Sequence, residues 1–200
     1  MMLKVFAVAI ICSSAFSIPP SDALQRLIEG NERYMEDELI HPDRSSDRRM
    51  EISEKQKPFA TIVGCSDSRV APEIIFDQGL GDLFIVRLAG NVVDGVGLDS
   101  VEYSIKYLGS SLVLVMGHES CGAITAVVDG QTADIEKIAE LVKPAVKTMK
   151  NIEEATKANV LWTVEKLKKA QLIKRLIEAK KLDVVGAYYH LGTGMVEILE

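Results

Sequence analysis

The chain reads as an α/β protein: a central, mostly parallel sheet of four strands plus an antiparallel edge strand, flanked by helices, with an N-terminal helical arm. Four short runs, FATIVG from Phe59, LFIVRLAG from Leu83, SLVLVMG from Ser111 and DVVGAYYH from Asp183, are near-continuous in apolar residues, as strands covered on both faces are. Stretches of helical periodicity lie between them, and strands alternating with helices demand crossover connections and parallel pairing. A last run, GMVEIL, follows HLGTG so closely that it fits a hairpin partner.

The first segment differs in kind. MMLK supplies one lysine, VFAVAIIC eight apolar residues, and SSAFS small residues with Ala15 and Ser17 placed for cleavage, which predicts a signal peptide over residues 1–17. The mature chain, residues 18–200, is then a secreted, periplasmic, single catalytic domain. No later segment offers eighteen uncharged apolar residues, so the mature chain has no membrane span.

Ser21 and Asp22 offer N-cap oxygens to an amphipathic helix in which Ala23, Leu24, Leu27, Ile28, Asn31, Tyr34 and Met35 recur at helical spacing. The polar stretch DELIHPDRSSDRRMEISEKQKP lacks a clean period and predicts a long connection with one irregular turn. After the first two strands, GLDSVEYSIKYLG predicts a helix with Val101, Ile105 and Leu108 on one face, and CGAITAVVDG a second. Two longer helical stretches fill the span from Thr132 to Leu182.

Composition narrows the chemistry. Of 200 residues, 48% are hydrophobic and 26% charged, which suits one core, and the net charge of −6 leaves no basic field to gather phosphates. A nucleic-acid partner is not expected.

In such a sheet, active groups sit beyond the carboxyl ends of strands. FATIVG ends in CSDSR and LVLVMG ends in HESCG, so both polar clusters emerge at one edge; if the two strands are neighbours, Cys65, His118 and Cys121 converge. His118 and Cys121 stand three apart, and Gly117 and Gly122 are expected to let the backbone bend around them. Two thiolates and one imidazole suit Zn²⁺, one per chain, and three protein ligands leave a fourth position open, as catalytic sites do. Each residue alone has a plainer reading: a buried thiol, a hydrogen-bonded histidine, or a disulfide between Cys65 and Cys121 in an oxidising compartment. His41 and His190 lack partners at ligand spacing.

CSDSR together with HESCG resembles the β-class carbonic anhydrases, from about Ser21 to Leu199, and FDQGLGDLFIVRLAGN between them is similar to that family too. Leu88 follows Arg87 where the family's common pattern has asparagine. The resemblance implies Cys65, His118 and Cys121 as zinc ligands, Asp67 and Arg69 as the active-site dyad, and a homodimer or dimer of dimers. It also implies reversible hydration of CO₂ to bicarbonate by attack of zinc-bound hydroxide. Chemically, Asp67 can accept a hydrogen bond from the zinc-bound water while Arg69 clamps its carboxylate. Gln78 can donate to a CO₂ or bicarbonate oxygen, and backbone N–H groups around Gly122 can add to that polarisation.

The alternatives are hydrolysis of a sulfur analogue of CO₂ on the same zinc, and a disulfide-stabilised, non-enzymatic periplasmic protein. A cysteine phosphatase cradle fails on spacing: it needs five residues between Cys and Arg, and CSDSR has three.

Overall fold

The computed structural model describes Phe16 and residues 18–199, so the expected signal peptide lies, apart from Phe16, outside the described residues. The helical arm is α1 (Pro20–Met35), followed by α2 (Ser46–Glu51). The sheet is built from β1 (Ala60–Gly64), β2 (Leu83–Arg87), β3 (Leu112–His118), β4 (Asp183–Tyr189) and β5 (Val196–Leu199). Their order is β2-β1-β3-β4-β5, parallel except for the β4/β5 pair. This is the predicted architecture, with the hairpin to β5 closed by the His190 N–H donating to the Met195 carbonyl.

Strands β1 and β3 are buried along their whole length, which is why their sequences do not alternate. Leu112, Leu114 and Met116 face one side and pack with Ala23 and Leu27 of α1; Val113 and Val115 face the other and pack with Val160, Val164 and Leu167. That second layer comprises α4 (Gly95–Tyr103, continued by a π turn over Ser104–Leu108), α7 (Ile152–Lys169) and α8 (Gln171–Glu178). Short helices α3 (Pro72–Ile75) and α5 (Gly122–Val128) follow the two polar clusters, and α6 (Glu136–Val146) covers α5.

Four local expectations change. Ser21 and Asp22 do not cap α1: the helix starts at Pro20, its N-cap is Pro19 with no side-chain bond, and both polar residues lie inside the first turn. The irregular turn in the long connection is a helix, α2: the Ser45 side chain accepts from the Arg48 N–H, and Asp47 and Arg48–Arg49 complement its two ends. The two long helical stretches are three helices, because Ala170 takes an extended conformation between Leu167 and Ile173, both buried in the same layer. Gly117 does not serve a bend either. A Cβ there would lie 2.7 Å from Val160 and 2.8 Å from Thr156, so glycine lets α7 approach β3 just before His118. The left-handed residue in the HESCG turn is Ser120, at φ 52. Among the described residues no helix is long and apolar enough to cross a membrane.

Candidate metal centre

Because β1 and β3 are neighbours in register, with Gly64 opposite Met116, the chain leaves both strands at the same edge of the sheet. Cys65 follows β1 directly, His118 closes β3, and Cys121 caps α5. One ligand atom from each of these three buried residues lies within 4.8 Å of the others. Both cysteines are free thiols.

His118 is oriented for donation. Its Nδ1 lies 2.8 Å from the Glu119 carbonyl, which can only accept, so the proton sits on Nδ1 and the lone pair on Nε2. That Nε2 is buried and has no hydrogen-bond partner among the described residues.

The CSDSR loop is tied down on several sides. Arg69 grips Asp67 with two parallel bonds, Nε to Oδ1 at 2.9 Å and Nη2 to Oδ2 at 2.7 Å, and its backbone N–H also donates to Oδ1. Nη2 reaches on to the Ser120 carbonyl, joining the two loops. Asp67 Oδ2 lies 3.8 Å from His118 Nε2, so the carboxylate faces the cluster. The Arg69 guanidinium holds Asp67 well below the usual carboxylate range, burial opposing this in part.

Gln78 joins none of these contacts. Its Nε2 donates to the Phe76 carbonyl and its Oε1 accepts from Arg26 Nε. It sits next to the turn in which the Gly79 N–H donates to Asp82, and the Asp82 carbonyl accepts from Phe59, at the amino end of the strands. Gly122 begins α5 with open space where a side chain would stand. The following N–H groups, of Ala123 and Ile124, favour a negative charge on the Cys121 sulfur.

Three comparisons bear on this arrangement. A family model described as carbonic anhydrase matches residues 60–196. A carbonic anhydrase of Mycolicibacterium smegmatis is 37% identical over 191 residues, covering 90% of this chain and 93% of the relative. Carbonic anhydrase 2 of Mycobacterium tuberculosis is 40% identical over 187 residues, covering 88% and 90%. The chain belongs to the β-class carbonic anhydrases. Solved members of that class share its fold: the β-carbonic anhydrase CcaA superposes with a TM-score of 0.70 at 26% identity, over 88% of this chain and 95% of the other. The Coccomyxa β-carbonic anhydrase in complex with acetazolamide gives 0.69 at 26%, over 88% and 86%.

In this carbonic anhydrase the donor set fits a metal ion. His118 Nε2 is a buried orphan that a cation held beside the two sulfurs would satisfy. Without metal, the cluster holds protons that a cation would displace. The Cys121 thiol beside it, with His118 and the Gly90 N–H, brings Cys65 down to about 4 against the effect of burial. Cys121 is pushed up by the Cys65 thiolate and by its own burial. For His118, burial disfavours the charged ring, but the adjacent Cys65 thiolate outweighs it and the net shift is upward.

Residues without a motif complete the site. Arg87 Nε donates to the Cys65 carbonyl at 2.9 Å and Nη2 to the Asp67 carbonyl at 2.6 Å, fixing the path of the CSDSR backbone. Its place in the Arg-x-x-Gly-Asn segment is the only sequence signal for this. The Gly90 N–H donates to Cys65 Sγ at 3.2 Å.

Proposed function

We propose that this enzyme interconverts CO₂ and bicarbonate, with one zinc ion per chain held by Cys65 Sγ, His118 Nε2 and Cys121 Sγ. The observation that carries the reading is the meeting of two free buried thiols and an unpartnered imidazole nitrogen beside a carboxylate already clamped by an arginine. Two sulfurs and a nitrogen suit a borderline-soft cation, and three protein donors leave a position for a small ligand. Zinc, when bound, supplies the Lewis acidity that makes a water molecule nucleophilic near neutral pH.

The chain's own residues do the rest. Arg69 keeps Asp67 ionised, so its carboxylate is acceptor-only and Oδ2 can take a hydrogen bond from the attacking water, fixing its orientation rather than removing its proton. The proton released in forming bicarbonate leaves to buffer. Backbone N–H groups around Gly122, where α5 begins, can add to the polarisation of a substrate oxygen. Gln78 is read as a donor to a CO₂ or bicarbonate oxygen, which would require it to exchange its bonds to Arg26 and the Phe76 carbonyl, and the enzyme is read as a homodimer or dimer of dimers. Residues 1–17 are read as a signal peptide that sends residues 18–200 to the periplasm as one catalytic domain.

Metal analysis with stopped-flow CO₂ hydration tests the reading. The purified protein should carry about one zinc per chain, lose hydration on chelation and regain it with zinc. A protein that takes up no zinc, or that binds it and hydrates no CO₂, would overturn it. Hydrolysis of carbonyl sulfide or carbon disulfide at a higher kcat/KM would assign the sulfur analogue instead.

A further inference from the structure

The Gly90 N–H donates to the Cys65 sulfur at 3.2 Å. Gly90 stands at φ 70 within the 3₁₀ turn Ala89–Asn91, a conformation glycine adopts without steric cost. A Cβ there would come within 3.3 Å of Ala123 Cβ, so the turn is seated against the start of α5.

The carbonyl of the same residue accepts from Asn159 Nδ2 at 2.9 Å. Asn159 lies in the middle of α7, 69 residues along the chain, and is 1% exposed. Its Oδ1 has no partner among the described residues, nor has either amide atom of the buried Asn91, which follows Gly90 in the turn. Leucine at 159 would fill similar space and remove the unpartnered Oδ1, while taking the donor away from the Gly90 carbonyl. What the amide adds is the bond to Gly90.

We propose that Asn159 is a positioning residue for the Cys65 sulfur: by holding the Gly90 carbonyl it keeps that glycine left-handed, and the left-handed glycine aims its N–H at Sγ. The inference rests on the reading of Cys65 as a metal ligand. An N–H bond draws charge from a coordinated thiolate and fixes its direction, and groups that orient ligands in this way change metal affinity by about 10- to 100-fold. The Asn159 bond therefore sets how long the cation stays and how strongly the sulfur donates to it.

The test compares Asn159→Leu with the parent protein and with Val164→Ala, a buried α7 side chain that touches neither Gly90 nor the cluster in the contacts above. Asn159→Leu should keep its Tm, release zinc to a chelator roughly tenfold faster, and shift the sulfur-to-metal charge-transfer band of the Co²⁺ form to longer wavelength. Val164→Ala should lower Tm and leave the band and the release rate unchanged. Equal release and an unmoved band in Asn159→Leu would overturn the inference. A second measurement does not depend on the leucine variant folding. In the ¹¹³Cd-loaded parent the Gly90 amide proton should show scalar coupling to cadmium through sulfur, and in Asn159→Ser that coupling should collapse. Its absence in the parent, or persistence in the serine variant, would overturn the inference too. A parent that takes up no metal would instead remove the zinc reading on which this one stands.

Discussion

Asp67 and Asp77 each hold an arginine at hydrogen-bond distance, Nε to carboxylate at 2.9 and 2.8 Å, and both are kept ionised below the usual carboxylate range. They differ in what is left over. The Asp77 side chain is fully buried; Arg33 and the N–H groups of Ile40 and His41 use its oxygens, tying α1 and the segment after it to the loop beyond α3. Asp67 is 17% exposed and Arg69 51%, the partners are two residues apart, and Oδ2 still looks toward His118 and the two sulfurs. The same ion pair, with three hydrogen bonds accepted in each case, is a staple where the carboxylate is buried and its oxygens face only partners from distant parts of the chain. It is a candidate reacting group where one oxygen is left facing a cluster of donors.

The largest effect should come from removing what Asp67 faces and Asp77 does not. Cys65→Ser or Cys121→Ser should abolish stoichiometric zinc and CO₂ hydration together, measured by metal analysis and stopped flow. Full zinc in either variant would mean that the cation sits elsewhere, and would leave Asp67 no different in kind from Asp77.

Next in size is the exchange of each carboxylate for an amide. Asp67→Asn should retain zinc, lower CO₂ hydration by roughly 10²-fold or more, and shift stability by about 1 kcal/mol or less, because its partner Arg69 is half exposed and solvent screens the pair. Asp77→Asn should do the reverse, costing about 3 kcal/mol by leaving Arg33 without its buried counter-charge, with kcat per folded molecule unchanged. Urea unfolding and rate measurements on both variants separate the roles. A stability loss at Asp67 as large as that at Asp77, or a rate loss at Asp77 in fully folded protein, would erase the distinction.

Much of one pair and little of the other was legible in the sequence, and the reason is distance along the chain. Asp67 and Arg69 share the five-residue CSDSR, and Cys65, His118 and Cys121 sit where buried apolar runs end, so the parallel-sheet pattern placed them at one edge. Asp77 and Arg33 are 44 residues apart, and Asn159 meets the Gly90 carbonyl from 69 residues away. No local period marks a helix asparagine that will bond a turn so far away along the chain. Arg87 acts through backbone carbonyls, which every residue has, so its partners carry no side-chain signature. Helix α2 was missed because a six-residue polar helix has no buried face to leave a period; its caps and end charges define it instead.

The smallest effect tests whether the two carboxylates differ in how acid unfolds the protein. Both have folded values below that of a free aspartate, about 3.9. Their contribution to stability is therefore complete above that value and is lost as pH falls through the lower folded value, because the unfolded chain binds the proton first. Asp77 meets this condition in full burial, whereas the Asp67 pair shares its field with solvent through an arginine that is half exposed. The stability gap between parent and Asp77→Asn should stay level from pH 7 to about 5 and narrow below about 4. The gap for Asp67→Asn should be smaller and narrow less over the same range, and be smaller still in high salt. If instead the Asp67 gap narrows with acid as steeply as the Asp77 gap, its ion pair is a structural staple as well. The assignment of Asp67 to chemistry would then rest on the rate measurement alone.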